Sequence, residues 1–255
     1  MTDTVKNEYN SHAANYDAFW ATDTPLTRLD NELFVSALGQ VPGAVILDLA
    51  GGTGFKARLA LAAGAAAVDV VDVSPEMMRE GQRKEASLHR AGAMRWFEAD
   101  ISKPLDHLPL RAQYDIVLAN WPFEHAENME VLEGMFRNIA KYLKPAGGGR
   151  FLGVRCADPR SPAMVRGDLG VVFKDFEEIP GGLRWRYAFD AGGSEIESAS
   201  MEATYSGSTE IYERHGLVDV QIEPYENAPV VRENPELFES FLKQPGIALV
   251  KARKA

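Results

Sequence analysis

The chain has 255 residues, a formal net charge of −10 at pH 7 and a hydrophobic content of 45%. This length suffices for one large α/β domain or two small ones. Because an acidic chain repels phosphate backbones, its charge disfavours nucleic acid as a partner. The single cysteine, Cys156, excludes an intramolecular disulfide and a cysteine-based zinc site. The sequence lacks an apolar run of roughly 20 residues and a signal-peptide core, so we expect a cytoplasmic protein with no membrane partner.

Segments typical of helices and strands alternate over the first 155 residues. Helices are predicted over residues 7–19, 27–38, 54–63, 75–91 and 130–143. Strands are predicted over residues 45–49, 67–71, 93–98, 114–119 and 149–154. This alternation indicates a parallel sheet with helices on both faces.

The alternation stops after this point. The pattern predicts two strands, over residues 183–189 and 195–205, joined by the hairpin signal Asp190-Ala191-Gly192-Gly193. A helix is predicted over residues 208–215. Two strands follow, over residues 218–224 and 247–252, with a loop over residues 227–235 between them. We therefore predict an α/β fold with a doubly wound, mostly parallel, seven-stranded Rossmann-like sheet. Its last strand is antiparallel, and a β-hairpin lid is inserted.

The predicted organisation is a single domain over residues 1–255. Within it, residues 1–40 form an N-terminal helical cap and residues 165–206 form the inserted lid over the substrate. An alternative for the hairpin is that it only packs on the domain.

A glycine-rich turn, DLAGGTG at residues 48–54, lies between a predicted strand and a predicted helix. Glycines let the backbone approach a ligand, and ligands of open α/β sheets bind at the carboxyl ends of the strands. The spacing is neither that of a dinucleotide fingerprint nor that of a Walker A motif. Asp48 would repel a pyrophosphate and favour a cation, and Asp72 is placed to accept hydrogen bonds from a ribose. The two acids together indicate a phosphate-free nucleoside with a positive tail.

Five segments in this order resemble the class I S-adenosylmethionine-dependent methyltransferase family, in its small-molecule type. They are ILDLAGGTG (46–54), VVDVSPEMM (70–78), EADI (98–101), YDIV (114–117) and LKPAGG (143–148). The resemblance covers residues 9–155, with weaker support from 205–255. It implies S-adenosylmethionine as cofactor, S-adenosylhomocysteine as product, no metal, and methyl transfer to an O or N atom of a small-molecule acceptor.

The resemblance also implies which residues contact the cofactor. They are Tyr9, Tyr16, Asp48, Ala50, Gly51, Gly52, Gly54, Asp72, Val73, Met77, Asp100, Ile101, Asn120 and Trp121. The family usually has glycine where this chain has Ala50, so we expect Ala50 to keep a negative φ. Plain core packing by Met77 and helix or turn capping by Asp72 and Asp100 remain alternatives.

The segment after the fourth predicted strand indicates where the reaction would occur. Its sequence Asn120-Trp121-Pro122-Phe123 departs from the motif of amino methyltransferases that act on nucleic-acid bases. His125 is the first candidate for a general base because its pKa is naturally close to neutral, and Glu124 is the second. A structural histidine is the alternative. An aromatic pocket for a partly apolar acceptor is predicted from Tyr16, Trp121, Phe173, Trp185, Tyr187 and Tyr205.

Two other functions remain open. One is a protein or nucleic-acid methyltransferase, which the acidic charge and the lack of an added recognition domain disfavour. The other is a fold that binds the same cofactor but catalyses a non-methylating reaction such as a cyclisation. A monomer and a homodimer are both compatible with the sequence.

Overall fold

The computed structural model describes residues 3–90, 92–189 and 195–255. Its strands, in chain order, are β1 (Val45–Leu49), β2 (Ala67–Asp72), β3 (Met94–Glu98), β4 (Ile116–Ala119), β5 (Arg150–Cys156), β6 (Val171–Ile179), β7 (Gly182–Phe189), β8 (Glu195–Met201), β9 (Leu217–Ile222) and β10 (Ile247–Lys254). The helices are α1 (Asp3–Trp20), α2 (Pro25–Leu38), α3 (Phe55–Ala62), α4 (Pro75–Ser87), α5 (Met129–Tyr142), α6 (Pro162–Arg166), α7 (Glu202–Tyr205), α8 (Glu210–Arg214), α9 (Pro229–Glu233) and α10 (Pro235–Lys243), with a 3₁₀ turn at Tyr225–Asn227.

Seven strands form the main sheet, in the order β3-β2-β1-β4-β5-β10-β9. The pairs β1–β2, β2–β3, β1–β4 and β4–β5 are parallel, whereas β10 runs antiparallel to both β5 and β9. The strand order reverses between β1 and β4, which is where ligands of such sheets bind. The predicted Rossmann-like sheet with an antiparallel last strand is confirmed.

The helices begin where capping residues allow it. The side chains of Thr24, Ser74 and Asn128 accept hydrogen bonds from backbone N–H groups in the first turns of α2, α4 and α5. Proline follows the cap in α2 and α4, where its missing N–H costs nothing. These caps fix the point at which the chain leaves each strand and therefore fix the loops at the ligand edge.

The inserted segment is a three-stranded antiparallel sheet in the order β6-β7-β8. The sequence predicted two strands and missed β6, because a β-bulge between Lys174 and Glu177 breaks its alternation. Strand β8 also ends earlier than predicted, and α7 follows it. The predicted turn at Asp190-Ala191-Gly192-Gly193 lies outside the described residues.

The loop predicted over residues 227–235 was wrong. Part of this segment is the short helix α9, which begins at Pro229, and α10 begins at Pro235. Both prolines occupy the first helical turn, where proline is compatible with a helix. No helix in the described parts of the chain is long and apolar enough to cross a membrane.

Two buried clusters hold the main sheet between its layers. One contains Leu29, Ile46 and Trp185 and extends into the inserted sheet, and the other contains Leu47, Val117 and Phe136. Since the first cluster is continuous from α2 to the inserted sheet, the inserted sheet is packed against the domain and does not stand away from it.

Candidate functional site

The glycine-rich turn leaves β1 in a conformation that most residues avoid. Ala50 has a φ of 57°, in the left-handed region, so the expected negative φ was wrong. The reason is the tight reversal between β1 and α3, in which Gly52 and Gly54 also have positive φ. A Cβ on Gly51 would lie 2.7 Å from Asp48 Oδ2 and 2.8 Å from Val70 Cγ1. The turn therefore leaves no room for side chains beside Asp48.

Asp48 is a buried acid without a described hydrogen-bond partner. Its side chain lies at the end of β1, the residue is 1% exposed, and both carboxylate oxygens are unsatisfied. Burial raises the pKa of Asp48 to about 7, with a contribution from Asp72, while Lys56 opposes the shift. A buried carboxylate without hydrogen-bond partners is costly, and a cationic ligand is the kind of group that would offset this cost.

Asp72, at the end of β2, ties the turn to the next loop. Its Oδ2 accepts from Gly52 N and its Oδ1 from Ser74 N, both at 2.8 Å. Burial raises the pKa of Asp72 to about 6 despite these bonds. Because a carboxylate has about four acceptor positions, these backbone bonds leave part of its capacity for a ligand hydroxyl. Asp72 thus both caps the loop and faces a cavity.

Two adjoining cavities open at this edge of the sheet. The inner cavity, of about 410 Å³, is lined by Tyr16, Trp20, Asp48, Ala50, Gly51, Gly52, Thr53, Phe55, Lys56, Asn120 and Trp121. The outer cavity, of about 380 Å³, is lined by Tyr9, Tyr16, Ala50, Gly52, Asp72, Val73, Met77, Asn120, Trp121, Pro122 and His125. Most of the residues predicted to contact the cofactor therefore line one or both cavities.

The loop after β4 forms one wall of both cavities. Asn120 Oδ1 accepts from Val154 N at 3.2 Å, and Trp121 N donates to Val154 O at 2.8 Å. Trp121 has a φ of 66°, an unfavourable value for a bulky residue. The bonds to β5 hold this conformation, and strained backbone of this kind is concentrated at functional sites.

A buried polar network joins this loop to α2 and α3. Lys56 Nζ donates to Asp30 Oδ1 and, at 2.8 Å, to Asn31 Oδ1. Trp121 Nε1 donates to the other Asp30 oxygen at 2.9 Å. Asp30 is fully buried and Lys56 is 8% exposed. The network fixes the Trp121 ring and places a cation in the inner cavity.

His125 lies in a second polar cluster. Its Nε2 is 2.8 Å from the hydroxyl of Tyr9, which is 3.3 Å from the hydroxyl of Tyr187. His125 Nδ1 is buried and has no described partner. Burial lowers the pKa of His125 to about 4, so the imidazole is neutral at pH 7. The backbone pairs with β8 through a bridge to Ala199, which connects the loop to the inserted sheet.

Glu124 points away from both cavities. Its Oε1 accepts from Cys156 N at 2.5 Å, and the residue is 1% exposed. Burial raises the pKa of Glu124 to about 7. Its backbone oxygen accepts from Ala199 N at 2.7 Å. These contacts hold Glu124 between β5 and β8. Glu124 therefore does not line either cavity, although His125 next to it does.

A third cavity, of about 330 Å³, lies between the main domain and the inserted sheet. This aromatic cavity is lined by Tyr16, Phe19, Trp20, Leu26, Trp121, Val171, Phe173, Trp185, Tyr187 and Phe189. Tyr16, Trp20 and Trp121 also line the inner cavity, so the two spaces meet at these rings. Phe173 and Trp185 are fully buried with ring centroids 4.2 Å apart.

Besides Glu124, four predicted residues, namely Gly54, Asp100, Ile101 and Tyr205, do not line these cavities. Asp100 accepts from the backbone and side chain of Ser102, Ile101 is buried against Asn138, and Tyr205 lies in α7. The sequence interpretation missed several lining residues, namely Phe19, Trp20, Leu26, Phe55, Lys56, Pro122 and Val171. In the residue ranges described, no group of three or more His, Cys, Asp or Glu could hold a metal ion.

Known proteins share this sequence pattern and architecture. The family described as "Methyltransferase domain" matches residues 46–147. A ubiquinone/menaquinone biosynthesis C-methyltransferase of Rubrivivax gelatinosus is 33% identical over 161 residues, which is 62% of this chain and 57% of that protein. The chain spans about three fifths of the length of the curated relatives it matches.

Solved structures share the fold. The CcbJ methyltransferase of Streptomyces caelestis has a TM-score of 0.63 at 19% identity, with all of both chains covered. The 1,6-didemethyltoxoflavin-N1-methyltransferase of Burkholderia thailandensis, solved with 1,6-didemethyltoxoflavin and S-adenosylhomocysteine, has a TM-score of 0.56 at 18% identity. That alignment covers 98% of this chain and 87% of the other. Residues 46–147 thus match the methyltransferase-domain family, and the glycine-rich turn and the sheet order give the chain the fold of S-adenosylmethionine-dependent methyltransferases.

Proposed function

We propose that this chain binds S-adenosylmethionine and transfers its methyl group to an O or N atom of a small, partly apolar acceptor, releasing S-adenosylhomocysteine. The observation that carries the proposal is the buried, unpartnered carboxylate of Asp48 beside the glycine-rich turn. It fits the ammonium of the cofactor's amino-acid end, because a buried acid without partners is stabilised by a cation.

The other lining residues fit the rest of the cofactor. Asp72 has acceptor positions left for ribose hydroxyls, and Val73 and Met77 line the outer cavity where an adenine ring would lie. The bound sulfonium supplies a methyl group that is already activated, so positioning and exclusion of water carry much of the catalysis. Asp100 and Ile101 do not line these cavities, so their proposed contact with adenine rests only on the resemblance to the family.

The acceptor is proposed to occupy the aromatic cavity. This space meets the inner cavity at Tyr16, Trp20 and Trp121, and its lining side chains carry no formal charge. Such a lining suits an aromatic or aliphatic ring. The inserted sheet, residues 165–206, would then act as the substrate lid, and the helices of residues 1–40 would act as the cap.

His125 is proposed to receive the proton that the acceptor loses, directly or through Tyr9. It is neutral at pH 7 and its Nε2 lies within hydrogen-bond distance of Tyr9. Its low pKa makes it a weak base, which suits an acidic O–H or N–H group. Glu124, which binds Cys156 N, is proposed to support the loop and not to take the proton.

A second acceptor atom follows from one relative. The Rubrivivax gelatinosus relative is named a C-methyltransferase, which makes carbon of an electron-rich ring the second candidate. A cyclisation or a protein substrate would need the same cofactor cavity; the apolar acceptor cavity favours a small molecule over a protein, and the assay below distinguishes methyl transfer from a cyclisation.

The test is an assay of purified protein with methyl-labelled S-adenosylmethionine and a panel of phenols, aromatic amines and hydroquinones. Transfer of label with release of S-adenosylhomocysteine is expected for at least one ring compound, and mass spectrometry of the product identifies the methylated atom. Trp185→Ala should raise KM for that acceptor. Binding of the cofactor without methyl transfer to any acceptor would contradict the proposal and favour a non-methylating reaction.

A further inference from the structure

Lys56 is a buried lysine that the cofactor motifs do not explain. It lies in the first turn of α3, 8% exposed, and its side chain lines the inner cavity together with Asp48. Lysine is rarely buried at this level unless it is paired. The ammonium also lies 4.9 Å from the ring centroid of Phe34 and 5.9 Å from that of Trp20, which favours the charged form.

The partners of Lys56 leave part of its hydrogen-bonding capacity unused. Its described hydrogen bonds go to Asp30 and Asn31, which account for two of the three N–H groups of an ammonium. Asp30 is fully buried and neutralises Lys56, while also accepting from Trp121 Nε1. Asp30, Asn31 and Trp121 therefore fix the ammonium at the wall of the cavity.

The inner cavity thus presents one held cation and one unpartnered anion. Lys56 has its negative partner in the cavity wall, whereas neither oxygen of Asp48 has a hydrogen bond. A ligand with both an ammonium and a carboxylate on the same carbon matches this pair. The α-amino-acid end of S-adenosylmethionine is such a zwitterion.

We propose that Lys56 binds the α-carboxylate of the cofactor through its third N–H, while Asp48 binds the α-ammonium. This inference rests on the proposed function. Asp30 and Asn31 are positioning residues, and through Asp30 the carboxylate site is connected to Trp121 at the reactive end. A carboxylate on the acceptor is the other ligand with this chemistry, and the cofactor is favoured because Lys56 lies beside the glycine-rich turn.

The test compares two ligands that differ only in the carboxylate. Dissociation constants are measured by calorimetry for S-adenosylhomocysteine and for its decarboxylated analogue. The wild type should bind S-adenosylhomocysteine at least about tenfold more tightly, because a charge-assisted hydrogen bond is lost in the analogue. Lys56→Met should weaken S-adenosylhomocysteine about 10- to 100-fold and change the analogue by less than about twofold.

Two further variants separate binding from folding. Lys56→Met leaves Asp30 buried without its cation, so Asp30→Asn with Lys56→Met removes both charges and keeps an acceptor for Trp121. This double variant should lose the preference for the carboxylate in the same way. Lys84→Met, on the exposed face of α4, is the matched control and should bind both ligands like the wild type.

Each result decides between distinct conclusions. If the wild type binds S-adenosylhomocysteine and the Lys56 variants keep its preference over the analogue, this inference is wrong and Lys56 only balances Asp30. The inference is also wrong if the Lys56 variants change only KM for an acceptor carboxylic acid. If the wild type binds neither cofactor ligand, the proposed function itself fails, and the inference with it.

Discussion

Ala50 lies where the polypeptide needs a left-handed residue. Its φ of 57° places its Cβ against the backbone, at a cost of about 1–2 kcal/mol for a residue other than glycine. Glycine avoids this clash but loses more entropy on folding. The net balance favours glycine, so Ala50 leaves some backbone strain in the turn beside Asp48.

Ala50→Gly is therefore expected to raise the free energy of unfolding by about 0.5–1 kcal/mol. Urea denaturation at pH 7 measures the change. Ala57→Gly is the control, because Ala57 is a buried position in the interior of α3, where glycine costs about 1 kcal/mol or more. If Ala50→Gly lowers stability as Ala57→Gly does, the left-handed conformation of Ala50 is incorrect.

Asp48 is expected to lower the stability of the ligand-free protein and to strengthen the binding of S-adenosylhomocysteine. The pKa of its carboxyl is raised to about 7 by burial, so Asp48 lowers the free energy of unfolding of the ligand-free protein progressively as pH rises from about 4 to 7. Asp48→Asn should increase the free energy of unfolding at pH 8 by about 1–3 kcal/mol. It should also weaken S-adenosylhomocysteine at least about tenfold, because the ammonium loses its counter-ion.

The pH dependence separates this effect from ordinary surface electrostatics. The stability gain of Asp48→Asn should shrink steadily as pH falls below 7 and vanish only below about pH 4, where the carboxyl is protonated in both the folded and the unfolded protein. Asp106→Asn, which removes an exposed ion pair with Lys141, is the control and should leave stability nearly unchanged over this pH range. Equal affinity of wild type and Asp48→Asn for S-adenosylhomocysteine would show that Asp48 does not face the ammonium.

At the scale of elements, α1 closes the cavities from one side. Tyr9 and Tyr16 line them, Ser74 Oγ donates to Asn10 Oδ1 at 2.8 Å, and the rings of Phe19 and Phe189 lie 4.1 Å apart. Helix α1 is thus attached near its middle to the loop after β2 and at its C-terminal end to the inserted sheet. A ligand in the cavities should reinforce both attachments.

Hydrogen exchange of backbone amides tests this arrangement. Binding of S-adenosylhomocysteine is expected to slow exchange in α1, and Phe19→Ala to accelerate it about tenfold in the free protein, because local opening becomes easier. Helix α5 should be unaffected. Val35→Ala, at an exposed position of α2, is the control. Exchange in α1 that is independent of the ligand would show that α1 does not cover the bound cofactor.

The elements that sequence predicted well are those with one dominant signal. Strand β1 is an apolar run that ends at the glycine-rich turn, and α4 begins at the Ser-Pro cap. Strand β6 was missed because its bulge, with Asp175 at a φ of 55°, breaks the alternation. Helix α9 was missed because its Pro229 was interpreted as a loop residue and not as a first helical turn.

The candidate site was predictable in part for the same reason. Asp48 and Asp72 are placed by strand ends, so their spacing in sequence already indicates that they converge. Lys56 gives no such signal, because a lysine in an Ala-rich helix is typical of a solvated face. Its burial depends on Asp30 in α2, and sequence spacing does not show that α2 packs on α3 at that point.

At the scale of the whole molecule, several buried carboxyls of the site and its surroundings lower the stability of the protein when they ionise. Burial raises the pKa of Asp48 and Glu124 to about 7 and that of Asp72 to about 6. The net charge of −10 at pH 7 adds self-repulsion in the same direction. His125 opposes them, since its pKa is lowered to about 4. Because three carboxyls oppose one histidine, the carboxyls determine the sign of the pH dependence of stability.

The directions of these pKa shifts determine how the stability of the protein depends on pH. A carboxyl with a raised pKa contributes stability below about pH 4 and loses it as pH rises through 6–7, whereas His125 contributes above about pH 6.5 and loses its share towards pH 4. The free energy of unfolding of the ligand-free protein should therefore be about 2–4 kcal/mol lower at pH 8 than at pH 5.5. Urea denaturation at both values measures it.

Ligand binding and substitution should both flatten this dependence. If Asp48 binds the ammonium as proposed, saturating S-adenosylhomocysteine should stabilise its ionised form, and the difference between pH 5.5 and pH 8 should shrink. The double substitution Asp48→Asn with Glu124→Gln removes two of the three buried charges and should remove most of the difference without any ligand. Exposed carboxyls with lowered pKa values, such as Glu239, titrate below this window and leave the comparison unaffected. Stability at pH 8 equal to or above that at pH 5.5 would mean that these carboxyls are already neutralised by groups within the protein.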